Sequence, residues 1–266
     1  MQKYWHVIKI GFANTLVYRV NYLFRGTFSL IPLLATIYLW RTIYKDKTTP
    51  VAGYTLAGMI SYYLMVTIVD SLTAVTEDDW QIAADIKDGN ISQFLLKPIN
   101  YLVYRFCLFF SGRVIFTAVS ILPVGIFIFC WRHYFVGPQT GLAMGYFALA
   151  TLLTGLLQFF MSFTMALLAF WLLEVSTVIF LLFAVEYIAG GHLFPLNILP
   201  PAVAQVLNYT PFPYQLYFPV GIYLGQIKGA AVWHGLLIEL GWVLFFYALA
   251  CFVWSRGLRK YSAAGG

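Results

Sequence analysis

The ionisable side chains that could perform acid–base or nucleophilic chemistry are sparse in this sequence. Of its 266 residues, 10 are Asp or Glu and 4 are His. Serine, histidine and carboxylate side chains all occur, but no GxSxG or HExxH pattern places a nucleophile or a metal-bound water beside a base. The GxxxxGK[ST] loop that cradles nucleotide phosphates is also missing from it. We therefore expect no catalytic residue here and no ATP hydrolysis by this chain alone.

Metal binding is a second chemistry that histidine and cysteine side chains could support. The three cysteines form no CxxC pair, and the histidines that share a predicted side lack the spacing of a ligand set. These residues are Cys107, Cys130, Cys251, His133, His192 and His234. We expect no metal site and no cofactor bound by this chain.

Two carboxylates stand apart because they interrupt long apolar runs. Glu186 and Glu239 lie about 11 and 9 residues into those runs, which at about 1.5 Å per residue is near the middle of a membrane. A charged carboxylate at that depth costs roughly 3 kcal/mol or more. Each should therefore face protein or a water-filled path, or be protonated. One interpretation is structural, a hydrogen bond to Tyr, Ser or Thr or a pair with Arg113; the other is a translocation path for cationic or amphipathic compounds.

The elements that must position these side chains are long apolar segments. The sequence is 61% hydrophobic, 19% aromatic and 10% charged, whereas soluble domains carry about 25% charge. Crossing about 30 Å of hydrocarbon takes about 20 residues. The segments that meet this requirement are Phe24–Tyr44, Tyr54–Val75, Phe106–Trp131, Gly141–Ala166, Val175–Leu193 and Ala230–Trp254. We predict an all-α membrane protein with six transmembrane helices, forming a single transmembrane domain over residues 1–266.

The basic residues indicate how the six predicted spans are oriented. With the N-terminus inside, eleven of the 16 Lys and Arg residues lie on the inner side and five on the outer side. This bias predicts cytoplasmic termini. We expect the location to be a bacterial inner membrane. The net charge of +6 then reflects topology and contact with membrane lipids, and we expect no nucleic-acid partner.

Residues 1–22 differ from the spans that follow them. Trp5, Ile8, Phe12 and Leu16 recur at helical spacing among basic side chains. This pattern is typical of a helix that lies in the headgroup plane. We predict an N-terminal interfacial elbow helix.

Two connecting segments are more than simple turns. In residues 76–101, Thr76 precedes three acidic residues and Gly89 follows about three turns later, which predicts a short capped helix on the inner side. Residues 190–229 hold six of the 11 prolines but remain apolar. Irregular backbone at membrane depth must be covered by protein, so we predict re-entrant outer helices between spans five and six.

At these two segments the sequence resembles the permease subunits of type-2 ABC exporters whose ATPase is a separate chain. Residues 85–98 read DIKDGNISQFLLKP, and residues 190–196 read GGHLFPL. Leu199-Pro200, Pro211-Phe212 and Tyr217-Phe218-Pro219 extend the second match. The resemblance covers essentially the whole chain.

The resemblance implies a coupling helix between spans two and three, seated on a partner ABC ATPase that is present in two copies and binds ATP and Mg. A solvated connecting helix is the alternative that the charge pattern alone leaves open. The expected ATPase-coupling residues are Glu77, Trp80, Ile82, Ala83, Asp85, Ile86, Lys87 and Asp88.

The resemblance also implies that two permease subunits, identical or similar, form the pathway between them and that the re-entrant helices close its outer mouth. The expected outer gate residues are Gly190, Gly191, Phe194, Pro195, Pro211 and Phe212. The family's substrates are drugs, other amphipathic or cationic compounds, and lipid-linked or glycan material. Two other classes stay open: a membrane-embedded enzyme acting on lipid substrates, which needs a polar cluster at one membrane face, and an ion-coupled secondary transporter, which normally shows paired broken helices.

Overall fold

The computed structural model is helical throughout the parts of the chain that it describes. Within those parts no strand forms, although Val51 and Tyr54 make one isolated bridge. The described residues are 2–45, 49–75, 78–138, 140–172 and 174–261. The α-helices are α1 (Gln2–Val17), α2 (Arg19–Phe28), α3 (Leu30–Tyr44), α4 (Leu56–Thr73), α5 (Asp78–Lys87), α6 (Ile91–Leu95), α7 (Tyr101–Cys130), α8 (Gly141–Ala166), α9 (Ser176–Ala189), α10 (Pro201–Leu207), α11 (Tyr217–Tyr223) and α12 (Ala230–Lys260).

Five helical segments of the described chain are long and apolar enough to cross a membrane. They are Arg19–Tyr44, which joins α2 and α3, then α4, α7, Gly141–Phe170, and α12. Helix α9 is apolar but has only 14 residues, and at about 1.5 Å per residue it is about 21 Å long, short of the roughly 30 Å of hydrocarbon. The protein is therefore a multi-pass helical membrane protein, and five of the six predicted spans have membrane length.

Most predicted span boundaries agree with the helices to within a few residues. Helix α8 begins and ends at the predicted residues, and α12 begins at the predicted Ala230 but continues to Lys260. The predicted end of the elbow, at residue 22, falls inside α2 (Arg19–Phe28). No proline or glycine at residues 22–24 ends a helix there, and the break comes earlier, between α1 and α2.

Side-chain caps fix where three of the long helices begin. The side chains of Thr55, Asn100 and Thr140 accept hydrogen bonds from backbone N–H groups three residues later, at 3.1, 3.2 and 3.1 Å. Each bond satisfies a donor that the first turn of a helix leaves unpaired, which typically contributes about 1 kcal/mol.

The interior is apolar and rich in aromatic rings. Helix α4 contacts α7, α8 and α11, while α1 and α2 pack along α7 and α12 packs along α8. The ring of the fully buried Phe159 has its centroid 5.2 Å from that of Phe106, 5.3 Å from Phe109 and 5.9 Å from Phe163. Such pairs contribute about 0.5–1.5 kcal/mol beyond their buried area, and this cluster joins α7 to α8.

The proline-rich segment after α9 divides into an enclosed half and an exposed half. Helix α10 has no buried residue, whereas Phe218, Val220 and Ile222 of α11 are buried against α4 and α8. A Cβ atom at Gly235 of α12 would lie 2.1 Å from the Phe218 ring, so the glycine permits this close approach. The segment therefore brings irregular backbone into the bundle and covers it with protein.

Candidate functional site

Helix α5 follows α4 in the chain and precedes α7, and one of its faces packs on the helix bundle. Ile82, Ala83 and Ile86 are buried, and α5 packs on α8 and on the 3-10 turn Leu167–Phe170. These residues share a helix face because positions three and four apart are neighbours. Gly89 has a φ of +78°, which is the left-handed conformation expected just after a helix C-terminus. The three apolar side chains therefore make contacts within this chain.

A buried polar network fixes α5 to the first turns of α7. Asp85 accepts hydrogen bonds from the Tyr101 hydroxyl, at 2.7 Å, and from the guanidinium of Arg105. Arg105 also donates to Gln81, at 3.2 Å. Removing one partner of a buried ion pair leaves an uncompensated charge, at a cost of about 3–5 kcal/mol. Asp85 thus positions α5, and its pairing with Tyr101 and Arg105 could not be read from sequence spacing.

Other members of the predicted coupling set are exposed, at the edge of the packed face of α5 and just after its last residue. Trp80 is 45% exposed, and Lys87 and Asp88 are exposed as well. Just beyond α5, Leu96 is 89% exposed. Glu77 lies outside the described residues. The exposed ring of Trp80 is of a type that is enriched in protein interfaces, whereas Lys and Asp side chains are depleted there.

The predicted outer gate begins with a loop that is fastened to α4. The hydroxyl of Tyr62 donates to the Gly191 carbonyl at 2.7 Å, and the hydroxyl of Tyr63 donates to the Leu193 carbonyl at 2.8 Å. Trp40 in turn donates to the Tyr63 hydroxyl at 3.1 Å. Gly191 has a φ of +95°, a conformation that side chains of L-residues rarely adopt.

The remaining gate residues lie close to this loop in the chain's fold. The Tyr217 N–H donates to the Gly190 carbonyl at 3.0 Å, which joins the loop to the start of α11. Burial raises the pKa of the Tyr217 hydroxyl, and the hydrogen bond with Asn197 lowers it by a smaller amount. The hydroxyl is therefore protonated and donates to the Asn197 side chain. Pro195 and Pro211 are buried, while Phe194 and Phe212 are half-buried.

Glu186 faces a small cavity between α4, α8, α9 and the gate loop. Its Oε1 accepts a hydrogen bond of 3.0 Å from Gln215, which also contacts the sulfur of Met161 at 3.3 Å. The cavity measures about 50 Å³, and Asp70 and His192 line it too. Nε2 of His192 lies 3.3 Å from Oδ1 of Asp70. Sequence reasoning missed Asp70, although an acid inside a predicted span was the signal that singled out Glu186 and Glu239.

Glu239 has different surroundings from Glu186. It is 0% exposed, and its Oε1 accepts a hydrogen bond of 3.0 Å from the Thr154 hydroxyl of α8. Its Oε2 has no hydrogen-bond partner among the described residues. Threonine is one of the partners that the structural interpretation anticipated, and the contact links α12 to α8.

The described His, Cys, Asp and Glu side chains are dispersed. In those parts of the chain, no three His, Cys, Asp or Glu residues are grouped closely enough to hold a metal ion. Asp70, Glu186 and His192 therefore line a common cavity without forming a ligand set.

Comparison with known proteins gives one match. A family model described as ABC-2 family transporter protein matches residues 30–265. No curated protein and no solved structure matches the chain.

Proposed function

The chain belongs to the ABC-2 family of transporter proteins, and we propose that it is the permease subunit of an ATP-driven exporter whose ATPase is a separate chain. The family is a membrane transport component and not itself catalytic. The observation that carries the proposal is the family match over residues 30–265 in a chain with five membrane-length helices.

We propose six spans, with α9 as the short fifth crossing. Its large apolar side chains Phe180, Leu181, Phe183, Val185 and Ile188 are exposed, as expected for a helix surrounded by lipid or by a second permease. A short span is accommodated by local thinning of the bilayer. Six crossings of a bacterial inner membrane place both termini on the same side, which the basic residues indicate is the cytoplasm. Helix α1 is then the interfacial elbow.

We propose that α5 is the coupling helix and that the ATPase, in two copies with ATP and Mg, seats on its exposed face. Trp80, Lys87 and Asp88 support this because they are exposed. Ile82, Ala83 and Ile86 hold the helix on α8, and Asp85 holds it on α7. A rigidly seated helix transmits motion of the ATPase to the bundle.

We propose that two permease subunits, identical or similar, form the pathway and that the loop from Gly190 to Pro195, with Pro211 and Phe212, closes its outer mouth. Glu186 is the better supported of the two candidate path residues, because it lines a cavity and Glu239 is enclosed. The substrates are drug-like, amphipathic or cationic compounds, or lipid-linked material.

The test is purification of the tagged chain from its native host, followed by reconstitution into vesicles. We expect an ABC ATPase to co-purify in stoichiometric amount, and the complex to hydrolyse ATP and move a fluorescent amphipathic compound only when ATP is present. A complex whose ATPase lacks its phosphate-binding lysine is the control and should assemble without transport. Transport driven by an ion gradient without ATP, or chemical conversion of a lipid, would overturn the proposal.

A further inference from the structure

Two cavities meet at the contact between Asp70 and His192. The first, of about 50 Å³, is lined by Asp70, Glu186, Tyr187 and His192 together with residues of α8. The second, of about 210 Å³, lies toward α3 and α7 and shares Asp70, Tyr187 and His192 with the first. The 3.3 Å contact between the imidazole and the carboxylate therefore stands between them, and separating the two side chains would join the cavities.

The lining of the first cavity contains polar atoms that the protein itself does not satisfy. The Ser162 hydroxyl and Nδ1 of His192 are buried, and neither has a hydrogen-bond partner among the described residues. Both residues line this cavity. Because leaving a buried polar group unpaired costs about 1–3 kcal/mol, we expect these atoms to pair with water or with a polar ligand in the cavity.

The two cavities are lined by acidic and aromatic side chains. Their lining includes the carboxylates of Asp70 and Glu186 but no Lys or Arg. The Asp70 side chain is 41% exposed, so it is reachable from the cavity side. The Tyr187 ring stacks on His192 with centroids 5.2 Å apart, and Phe183 lines the first cavity. Carboxylates beside aromatic faces attract organic cations through Coulomb and cation–π interactions.

We propose that Asp70 and Glu186 form a binding site for an organic cation, an ammonium group on an apolar body, and that the cation displaces His192 from Asp70. The inference rests on the proposed function, because it identifies the substrate class of the route assigned to Glu186. A divalent metal is a poorer occupant, since no metal-binding group occurs among the described residues.

The position of His192 explains how binding is linked to opening of the gate. His192 follows Gly190 and Gly191 in the loop that Tyr62 and Tyr63 fasten to α4. When a cation takes the place of the imidazole beside Asp70, the loop loses one of its contacts with α4 and the two cavities join. Neutral compounds of the same shape lack the charge needed to compete with His192.

The experiment measures binding of benzyltrimethylammonium and of its neutral isostere neopentylbenzene to the purified permease–ATPase complex in vesicles. The variants are Asp70→Asn, Glu186→Gln and His192→Gln, and Glu174→Gln is the matched control because Glu174 is exposed and accepts from the Ser176 N–H instead. We expect Asp70→Asn and Glu186→Gln each to weaken cation binding about tenfold or more, since a charged contact is lost. His192→Gln should strengthen it, and the control should not change it.

The neutral isostere should bind weakly and equally to all variants. Unchanged cation binding by Asp70→Asn, or an equal loss for the neutral isostere, would overturn the inference. His192→Gln also serves as a control for misfolding, because a misfolded protein would not bind the cation more tightly. If ATP-driven transport persists while these variants bind the cation normally, only this inference fails. If the cation binds as expected but the complex does not couple ATP hydrolysis to transport, the proposed function fails instead.

Discussion

Among single residues, Glu186 and Glu239 are distinguished by their surroundings. Glu186 borders a cavity and accepts a hydrogen bond from an amide, Gln215. Glu239 is fully enclosed, with one oxygen bonded to Thr154 and the other without a partner among the described residues. A buried carboxylate with a hydrogen bond to only one of its oxygens is destabilising. The Thr154 contact favours a structural role for Glu239, whereas the cavity favours a path role for Glu186.

This difference predicts how Glu239→Gln behaves. The amide retains an oxygen that can accept from Thr154 and removes the cost of burying a carboxylate, so we expect unchanged or higher Tm and unchanged export of cations. Thermal melting in detergent and transport by the reconstituted complex measure both. Glu186→Gln is the comparison variant and should lose cation export while neutral compounds are spared. Loss of cation export in Glu239→Gln at normal Tm would instead assign Glu239 to the path.

Gly191 is a second residue whose environment sets a prediction. At a φ of +95° a side chain is strained, and a Cβ atom would lie 2.6 Å from the Tyr62 hydroxyl oxygen. We expect Gly191→Ala to destabilise the protein by roughly 1–3 kcal/mol and to lower Tm by several degrees. Gly145→Ala is the control, because a Cβ atom there meets nothing within 4 Å. Equal melting of the two variants would show that the loop does not need the glycine.

At the scale of the element, α5 has two faces with separate tasks. Ile82, Ala83 and Ile86 pack on the bundle, and Asp85 is held by Tyr101 and Arg105. Trp80 of the same helix is 45% exposed. A substitution of a packed residue should therefore lower the stability of the chain. A substitution of an exposed residue should instead weaken binding of the ATPase.

The two faces predict different outcomes for the same change. Ile86→Asp places a charge in the packed face and should destabilise the permease by roughly 2–5 kcal/mol. Trp80→Asp should leave the Tm of the isolated permease close to normal but reduce binding of the ATPase and ATP-driven transport. Melting of the permease alone and ATPase co-purification separate the two effects. A Trp80→Asp complex with normal coupling would show that the ATPase seats elsewhere.

At the scale of the whole molecule, the number of crossings decides where the termini lie. Five segments have membrane length, and α9 is a 14-residue apolar helix. If α9 crosses, both termini face the same side; if it does not, they face opposite sides. The segment after α9 is fastened to α4 and packs against α8 through α11, which supports α9 as part of the bundle.

We predict that both termini are cytoplasmic. Fluorescent-protein fusions at either end should fluoresce, and alkaline phosphatase fusions at either end should be inactive, because each reporter works on only one side of the inner membrane. A phosphatase fusion in the exposed α10 segment is the control and should be active. Activity of the phosphatase at the C-terminus alone would contradict a crossing by α9.

The sequence by itself determined the helices, because length and hydropathy are properties of a segment and need no knowledge of its neighbours. It predicted the boundaries of α8, the start of α12 and a short helix that ends before Gly89, whereas the predicted cap at Thr76 lies outside the described residues. The family resemblance carried by residues 85–98 and 190–196 agrees with the match over residues 30–265. Helical periodicity could also identify which residues of α5 share a face, but not which face packs inward.

Only the tertiary structure decided which side chains meet across the bundle. The pairs Asp85–Arg105 and Asp70–His192 are 20 and 122 residues apart in the chain, and no local pattern encodes a contact at such a distance. The sequence also could not separate Glu186 from Glu239, because it predicts a similar depth in the membrane for both. Burial depends on the helices packed around a residue, so only the packing showed that one carboxylate lines a cavity and the other is enclosed.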